Sequence, residues 1–193
     1  STALHLAAET ASKEIVEIIW NKINDRNILM MKEHDGETPF QLSCCNKQED
    51  VLPFMWNLYN KDRSLVLEKN FKNQNLIHIA CYVEKVSTFS YVWNEIIAKN
   101  FSLIEQREIL RDKGYDGRNL LTYIVNSSNI ELIKFAWNLF EEILGDVFWE
   151  IIYERDQQHC LLIHITFGLS KFKICQFVWE KITKFLKNNP REL

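Results

Sequence analysis

A chain of 193 residues with 47% hydrophobic residues, six Trp and twelve Phe has ample material for a bulky core in one domain or two. Its formal net charge of -3 points to neither a nucleic-acid nor a membrane partner. We find no signal peptide and no apolar run of about 20 residues that could span a bilayer. The five Cys are odd in number and lack zinc-like pairs, which favours reduced, buried thiols of a cytosolic or nuclear protein.

One sequence phrase recurs along the chain, each time with a tryptophan near its end. The tryptophans stand at positions 20, 56, 93, 137 and 179, with spacings of 36, 37, 44 and 42 residues. Recurrence at such a period is typical of a solenoid, in which each repeat buries its apolar face against the next. We predict one array of five repeats, approximately 1–33, 34–70, 71–114, 115–156 and 157–193. Because the chain begins inside a repeat, we expect it to be a piece of a longer protein.

Each repeat is predicted to contain two antiparallel helices separated by a polar break. The first helix starts at a residue that can cap it in four copies, namely Thr2, Thr38, Asn75 and Asn119. Pro39 suits the first turn after Thr38. The second helix is apolar around much of its girth, as in a helix buried between neighbours. The last one should end by Asn188-Asn189, before Pro190.

The linkers between repeats carry a further apolar cluster, which predicts a short third helix or helical turn. In the two longest linkers this helix should span roughly Leu103–Asp112 and Asp146–Glu154. Each linker then closes on a turn, at Asp35-Gly36, Asn73-Gln74, Asp116-Gly117 and Gln157-Gln158. Asp-Gly is the strongest of these turn signals.

The equivalent position of the repeat tryptophans predicts a ladder of buried indoles between successive second helices. An aromatic cage or stacking platform is the functional alternative. Trp149 is out of phase with this ladder, so it is a candidate for a partly exposed contact residue. His5, His78 and His164 are also equivalent, and we expect them to hydrogen-bond neighbouring backbone rather than to share a metal, because stacked helices lie about 10 Å apart.

The phrase Thr2-Ala3-Leu4-His5-Leu6-Ala7-Ala8 with Glu14-Ile15-Val16 resembles the ankyrin repeat. Thr38-Pro39-Phe40-Gln41-Leu42 and Asn75-Leu76-Ile77-His78-Ile79-Ala80 are similar, while copies four and five are diverged. The resemblance covers the whole chain and implies an all-α, ankyrin-type solenoid with short turns and extra short helices in its linkers. The chain departs from the family in its longer period, in the Trp that replaces a Leu, and in lacking the usual Gly in the break.

The resemblance implies a concave face, lined by the turn tips and first helices, that binds another protein. The expected partner-binding residues are His34, Asp35, Glu37, Phe71, Lys72, Gln74, Tyr82, Tyr115, Asp116, Arg118 and Asn126, with Cys45 beside them. We expect a non-catalytic interaction module in the cytoplasm or nucleus, without cofactor, metal, small-molecule substrate, membrane or nucleic acid. The alternative is a structural spacer or targeting array within a larger toxin, channel, or symbiont or viral effector whose activity lies elsewhere.

Overall fold

The computed structural model describes residues 1–169 and 171–188, where the regular structure is helical apart from one isolated bridge between Lys113 and Asn119. The first helices of successive pairs span Ala3–Thr10, Pro39–Leu42, Leu76–Tyr82, Leu120–Asn126 and Leu162–Gly168. The second helices span Lys13–Ile23, Val51–Leu58, Val86–Tyr91, Ile130–Leu144 and Phe172–Asn188. Each first helix contacts the next along the chain or its continuation, so the pairs stack in order. The predicted all-α solenoid is confirmed.

Two helices of the array continue in another helical form. Pro39–Leu42 continues as the 3-10 turn Ser43–Cys45. In the third repeat the second helix passes into a π-helical segment, Val92–Ile97, and then into Ala98–Asn100. Trp93, Ile96 and Ile97 of this segment are buried. The fifth second helix is described as far as Asn188, and the predicted stop at Asn189 and Pro190 lies outside the described residues.

The linkers contain the predicted short helices, at Arg26–Met30, Ser64–Leu67, Leu103–Arg111 and Phe148–Ile152. Leu103–Arg111 matches the expected span to within one residue. The helix begins at Leu103 because the side chain of Ser102 caps it and Glu105 completes a capping box. The helix expected at Asp146–Glu154 is shorter than predicted. Gly145 takes a positive φ of 57° and ends the preceding helix, and the 3-10 turn Gly145–Val147 occupies the start of the expected span.

Three of the four predicted N-caps, Thr38, Asn75 and Asn119, cap their first helices through a side-chain oxygen, whereas the Thr2 hydroxyl lies 2.8 Å from the His5 ring nitrogen Nδ1. The Thr38 hydroxyl accepts the Gln41 backbone N–H at 3.3 Å, and the Gln41 side-chain oxygen accepts the Thr38 N–H at 2.9 Å. Asn75 and Asn119 cap their helices in the same way, each accepting the N–H three residues on, at 3.4 and 3.0 Å. These bonds satisfy donors that a helix start leaves without a partner inside the helix.

The repeat tryptophans differ in burial along the array, and the three inner ones are the most buried. Trp56, Trp93 and Trp137 are at most 2% exposed, whereas Trp20 is half-buried and Trp179 is 51% exposed. The prediction of a buried indole in every repeat is therefore wrong for Trp179, because no described residue packs over the outer side of the fifth repeat. The inner three take the environment expected of the ladder.

Trp149 belongs to an internal aromatic cluster. Its ring stacks on Phe185 with centroids 3.6 Å apart and meets Trp137 at 6.4 Å in an edge-on arrangement. The side chain is half-buried, so most of the contact surface proposed for Trp149 is taken by the protein itself.

Side chains in the breaks tie consecutive repeats together. The Asn46 amide donates to the carbonyls of Ala8 and Ala11, both at 2.9 Å. Lys85 Nζ donates to the Asn46 carbonyl at 3.0 Å, and Lys171 Nζ repeats this contact on the fourth break by donating to the Ser127 carbonyl at 3.2 Å. These bonds satisfy carbonyls at the ends of the first helices and fix the spacing of the array.

Candidate interaction face

Each linker closes on a five-residue hairpin, which we call a finger: residues 33–37, 70–74, 114–118 and 156–160. In every finger the first N–H donates to the fifth carbonyl and the fourth N–H donates to the first carbonyl, at 2.9 to 3.1 Å. The fourth residue has a positive φ in all of them, at Gly36, Asn73, Gly117 and His159. The predicted turns at Asn73-Gln74 and Gln157-Gln158 are therefore displaced by one residue, because Asn and His can occupy the left-handed region usually held by Gly.

A backbone ladder joins the fingers to one another. The second N–H of each later finger donates to the third carbonyl of the finger before it: Phe71 to Asp35 at 3.0 Å, Tyr115 to Lys72 at 3.1 Å, and Gln157 to Asp116 at 3.0 Å. The same register recurs at every step. Because the bonds are between main-chain groups, they hold the tips at a regular spacing whatever side chains the tips carry.

Polar side chains at the first finger position brace two of the hairpins from inside. Asn70 accepts the backbone N–H groups of Lys72 and Gln74, and Asp156 accepts those of Gln158 and Cys160, all between 2.9 and 3.0 Å. Such side-chain bonds to a residue two positions on are the mechanism by which Asn and Asp stabilise turns.

The third finger has Gly114 at that position and is braced from outside. The Tyr123 hydroxyl, from the first helix behind it, donates to Asp116 Oδ1 at 2.7 Å, and the same oxygen accepts the Arg118 N–H at 3.1 Å. A Cβ at Gly114 would overlap this hydroxyl. Burial and the adjacent Asp116 carboxylate raise the pKa of Tyr123, so the hydroxyl remains a donor at neutral pH.

Three of the expected partner-binding residues are large, exposed aromatics. Phe71 is 72% exposed, Tyr115 61% and Tyr82 57%. Phe71 and Tyr115 stand at the same position of adjacent fingers, and the Phe71 ring lies against the backbone of Gly36. Tyr82 ends the first helix behind them, with its ring centroid 5.4 Å from that of Tyr123. These side chains lie on a braced backbone and still offer much of their area to solvent.

The charged residues of the face fall into two groups. His34, Asp35 and Lys72 are exposed, and the last two form only a loose ion pair of 3.8 Å. Arg118 is half-buried, and its Nε lies 3.3 Å from Asp156 and 3.6 Å from Asp116. The exposed group is available to a partner, whereas Arg118 already has carboxylate partners.

Three further expected residues differ in what they present. Glu37 is half-buried and accepts the Asn70 amide, and burial raises its pKa. Asn126 is exposed, and so is Cys45, which was expected beside the partner-binding residues. The exposure of Cys45 corrects the expectation that all five cysteines are buried. Gln74 is only 3% exposed and lies beneath the face rather than on it, because its backbone and side chain close the second finger onto Asn70.

Sequence reasoning missed Gln157 and Asp156. Gln157 occupies the position of Phe71 and Tyr115 in the fourth finger, and its side chain donates to the Tyr115 carbonyl. Each finger begins five residues before the N-cap residue of the following first helix. The distance from the preceding Trp to the finger varies between repeats, so an alignment on the Trp does not reveal this constant spacing. Counting backwards from Thr38, Asn75, Asn119 and Leu161 would have found both residues.

The equivalent histidines bond to backbone, as expected. His5 Nε2 lies 2.9 Å from the Met31 carbonyl, and His164 Nδ1 accepts the Leu161 N–H at 3.2 Å. His78 is fully buried, and its Nδ1 lies 2.8 Å from the Asn75 side-chain oxygen. Burial lowers the pKa of His78 to about 4. In the second repeat Gln41 stands at the position of His5 and also bonds to backbone, because its side-chain amide donates to the Glu68 carbonyl at 2.8 Å.

No protein-family model matches this sequence, and no curated protein sequence matches it either. Among solved structures, the chain is similar to the ankyrin repeat domain of Bcl-3, described as a unique member of the IkappaB protein family. The two superpose with a TM-score of 0.64 at 17% sequence identity, over 91% of this chain and 69% of that one. The chain has the ankyrin-repeat fold. At this level of identity, the likeness is one of fold.

The array departs from the usual ankyrin-repeat pattern in the breaks between its paired helices. Where the family usually has Gly, Glu84 takes a positive φ of 57°. Its side chain accepts the Ser128 N–H at 3.1 Å and its carbonyl accepts the Asn129 amide at 2.8 Å. A strained, non-glycine conformation is thus held by bonds to the following repeat.

Within residues 1–169 and 171–188, no three His, Cys, Asp or Glu side chains stand close enough to hold a metal ion. No helix of the described ranges is long and apolar enough to cross a membrane. What the face offers chemically is exposed aromatic area, hydrogen-bonding groups and a few free charges on a rigid backbone.

Proposed function

We propose that this protein is a non-catalytic interaction module that binds another protein through the concave face of its ankyrin-type solenoid. The observation that carries the proposal is the set of exposed aromatics, Phe71, Tyr82 and Tyr115, on adjacent braced elements. Aromatic residues are enriched among those that dominate binding energy at protein interfaces. Exposed Asp35, Lys72 and Asn126 supply the polar groups that typically surround such anchors.

Rigid placement supports this function. Binding costs less free energy when the contact residues do not have to be ordered, and the finger ladder orders the backbone beforehand. The Phe71 and Tyr115 backbone N–H groups are themselves part of that ladder. The fold likeness to an ankyrin repeat domain supports the same role in general terms.

The test is capture of a partner by the protein and by a variant with alanine at Phe71, Tyr82 and Tyr115. Since all three side chains are more than half exposed, the variant should keep the helical circular dichroism and thermal midpoint of the parent. We expect it to lose a partner that the parent retains. The matched control is Ile104→Ala, which removes an apolar side chain that is 72% exposed on the helix Leu103–Arg111, away from the fingers.

The location of the contact can be measured separately. A photoreactive phenylalanine analogue in place of Phe71 should cross-link to the captured protein, and the same analogue at Ile104 should not. Equal retention by the triple variant, or cross-linking from Ile104 alone, would reject the concave face. If the parent captures no partner, the alternative of a spacer or targeting array within a larger protein is favoured.

A further inference from the structure

The exposed aromatic residues of the face belong to inner elements of the array. Phe71 lies on the second finger and Tyr115 on the third, and each of these fingers is bonded to the finger before it and to the finger after it. Tyr82 ends the first helix of the third repeat. All three side chains stay more than half exposed although neighbouring repeats pack on both sides. The edge of the array that carries the fingers is therefore a surface that the stacking of repeats leaves open.

The first finger, which lies beside Phe71, carries three carboxylates. Glu33, Asp35 and Glu37 occupy alternate positions of this finger. The Asp35 side chain is 56% exposed. Lys72 stands at the same position of the second finger, between two other fingers, and its side chain is 53% exposed. The third position of a finger thus points to solvent in an inner finger as it does in the first.

These carboxylates have little positive charge to balance them. In the part of the chain that the structure describes, their only ion pair is the loose contact of 3.8 Å between Asp35 and Lys72. Glu33 instead accepts the backbone N–H groups of His34 and Asp35, both at 2.6 Å. Burial raises the pKa of Glu37, and the charges of Glu33 and Asp35 raise it further. A cation supplied by a partner would relieve this repulsion between like charges.

The acids of the later fingers already have partners. Arg118 Nε lies 3.3 Å from Asp156 and 3.6 Å from Asp116. Asp116 also accepts the Tyr123 hydroxyl at 2.7 Å. Among the four fingers, uncompensated negative charge is therefore concentrated at the first.

Aromatic area and negative charge meet at Phe71. Its ring lies against Gly36, whose neighbours in the chain are Asp35 and Glu37. Its backbone N–H donates to the Asp35 carbonyl at 3.0 Å, which fixes the two residues relative to each other. The guanidinium group of arginine is planar, so it can stack on an aromatic ring while its N–H groups bond to carboxylate oxygens. Lysine offers the same charge but has no planar group to stack.

We propose that the segment of the partner bound at this face contains an arginine that stacks on Phe71 and pairs with Asp35 and Glu37. Apolar residues of the same segment contact Tyr82 and Tyr115. The segment therefore has a direction, with its basic part over the first finger and its uncharged part over the third. This inference rests on the proposed function, since it names the chemistry of the partner at the same surface.

Selection from a phage-displayed library of short random peptides tests this chemistry on the 193-residue protein. We expect the selected peptides to contain arginine next to apolar residues. The double variant Asp35→Asn, Glu37→Gln removes two charges but keeps the side-chain shapes and the acceptor for Asn70. It should bind the selected peptides about 10-fold or more weakly, the loss expected for hydrogen bonds to a charged group.

The matched control is Glu108→Gln with Glu142→Gln. These two exposed carboxylates lie on the helices Leu103–Arg111 and Ile130–Leu144, which do not belong to the face. The control should bind the selected peptides as the parent does. Helical circular dichroism checks that every variant is folded.

Exchange of the peptide's arginine for lysine separates stacking from charge. Because the charge is kept, binding should weaken by about 3-fold, the effect of a cation–π contact at an exposed site. Equal binding of the two peptides, or equal binding by the double variant and the control, would overturn the proposal.

The selected peptides also separate this inference from the function on which it rests. Peptides without a basic residue that lose binding when Phe71, Tyr82 and Tyr115 are changed to alanine would overturn the arginine assignment and leave the interaction face in place. Peptides that bind the alanine variant as tightly as the parent would overturn both. A library that yields no binding peptide would overturn the arginine assignment, whereas capture and cross-linking would still test the face.

Discussion

The difference between Trp137 and Trp179 predicts unequal effects of the same substitution at equivalent positions. Trp137 is fully buried, its ring meets Phe148 at 5.2 Å and Phe177 at 5.7 Å, and its Nε1 donates to Glu141 at 2.9 Å. A fully buried Trp removes about 150–250 Å² from water, which is about 4–6 kcal/mol at about 25 cal/mol per Å². The cost measured for removing such a side chain is about 3–5 kcal/mol.

Trp179 keeps half of its surface in water, so the same reasoning gives about 2–3 kcal/mol for the transfer of its buried half. Its ring centroid lies 6.2 Å from that of Phe167. We therefore expect Trp137→Ala to lower the free energy of unfolding by roughly twice as much as Trp179→Ala. The smaller figure is an upper limit, since the open depression beside Trp179 leaves little new cavity to create.

The measurement is urea unfolding followed by far-UV circular dichroism, because tryptophan fluorescence itself changes in both variants. The slope against urea must be compared as well, since a solenoid can lose one repeat before the rest. Equal losses at the two positions, or a larger loss for Trp179→Ala, would refute the view that burial by the following repeat determines what each tryptophan contributes.

Four other substitutions test the hydrogen bonds and turns of the array. Because the pKa of His78 is lowered to about 4, the folded state binds fewer protons than the unfolded state below a pH of about 6.5, so stability is lost as the pH falls from 6.5 towards 4. His78→Gln places at this position the residue that Gln41 provides in the second repeat, and its urea midpoint should fall less between pH 7 and 4 than that of the parent. An equal pH dependence of the two midpoints would show that His78 is not responsible. Asn46→Ala removes the donor to two carbonyls of the first repeat and should reduce the free energy of unfolding by about 1–3 kcal/mol, a loss absent if solvent replaces the amide. Gly36→Ala should lower the melting temperature, since Gly36 has a φ of 83° and a Cβ there would come within 2.7 Å of Phe71 in the next finger. Gly168→Ala should raise the melting temperature, since Gly168 lies in a helix and a Cβ there would have no atom within 4 Å. The opposite order of melting temperatures would contradict both geometries.

The repeat pattern, the helix pairs and most first-helix caps could be predicted because they depend on residues close together in the chain. Thr38, Asn75 and Asn119 cap helices through bonds to a residue three positions on. The tryptophan period identified the solenoid because every copy must bury the same face. The turn positions were predicted less well, since the left-handed residue is Gly in two fingers but Asn73 and His159 in the others.

What only the tertiary structure decided is which of two chemically similar side chains is covered. Gln74 was expected on the surface of the second finger but is buried beneath it. Tyr123 stands at a position that Leu42 and Ile79 occupy in other repeats, and yet its hydroxyl braces the third finger. Trp137 and Trp179 stand in the same phrase but in different surroundings. The phrase determines which way a side chain points on its own helix. The protein or solvent on the far side belongs to a neighbouring repeat some 40 residues away, and no local pattern contains it.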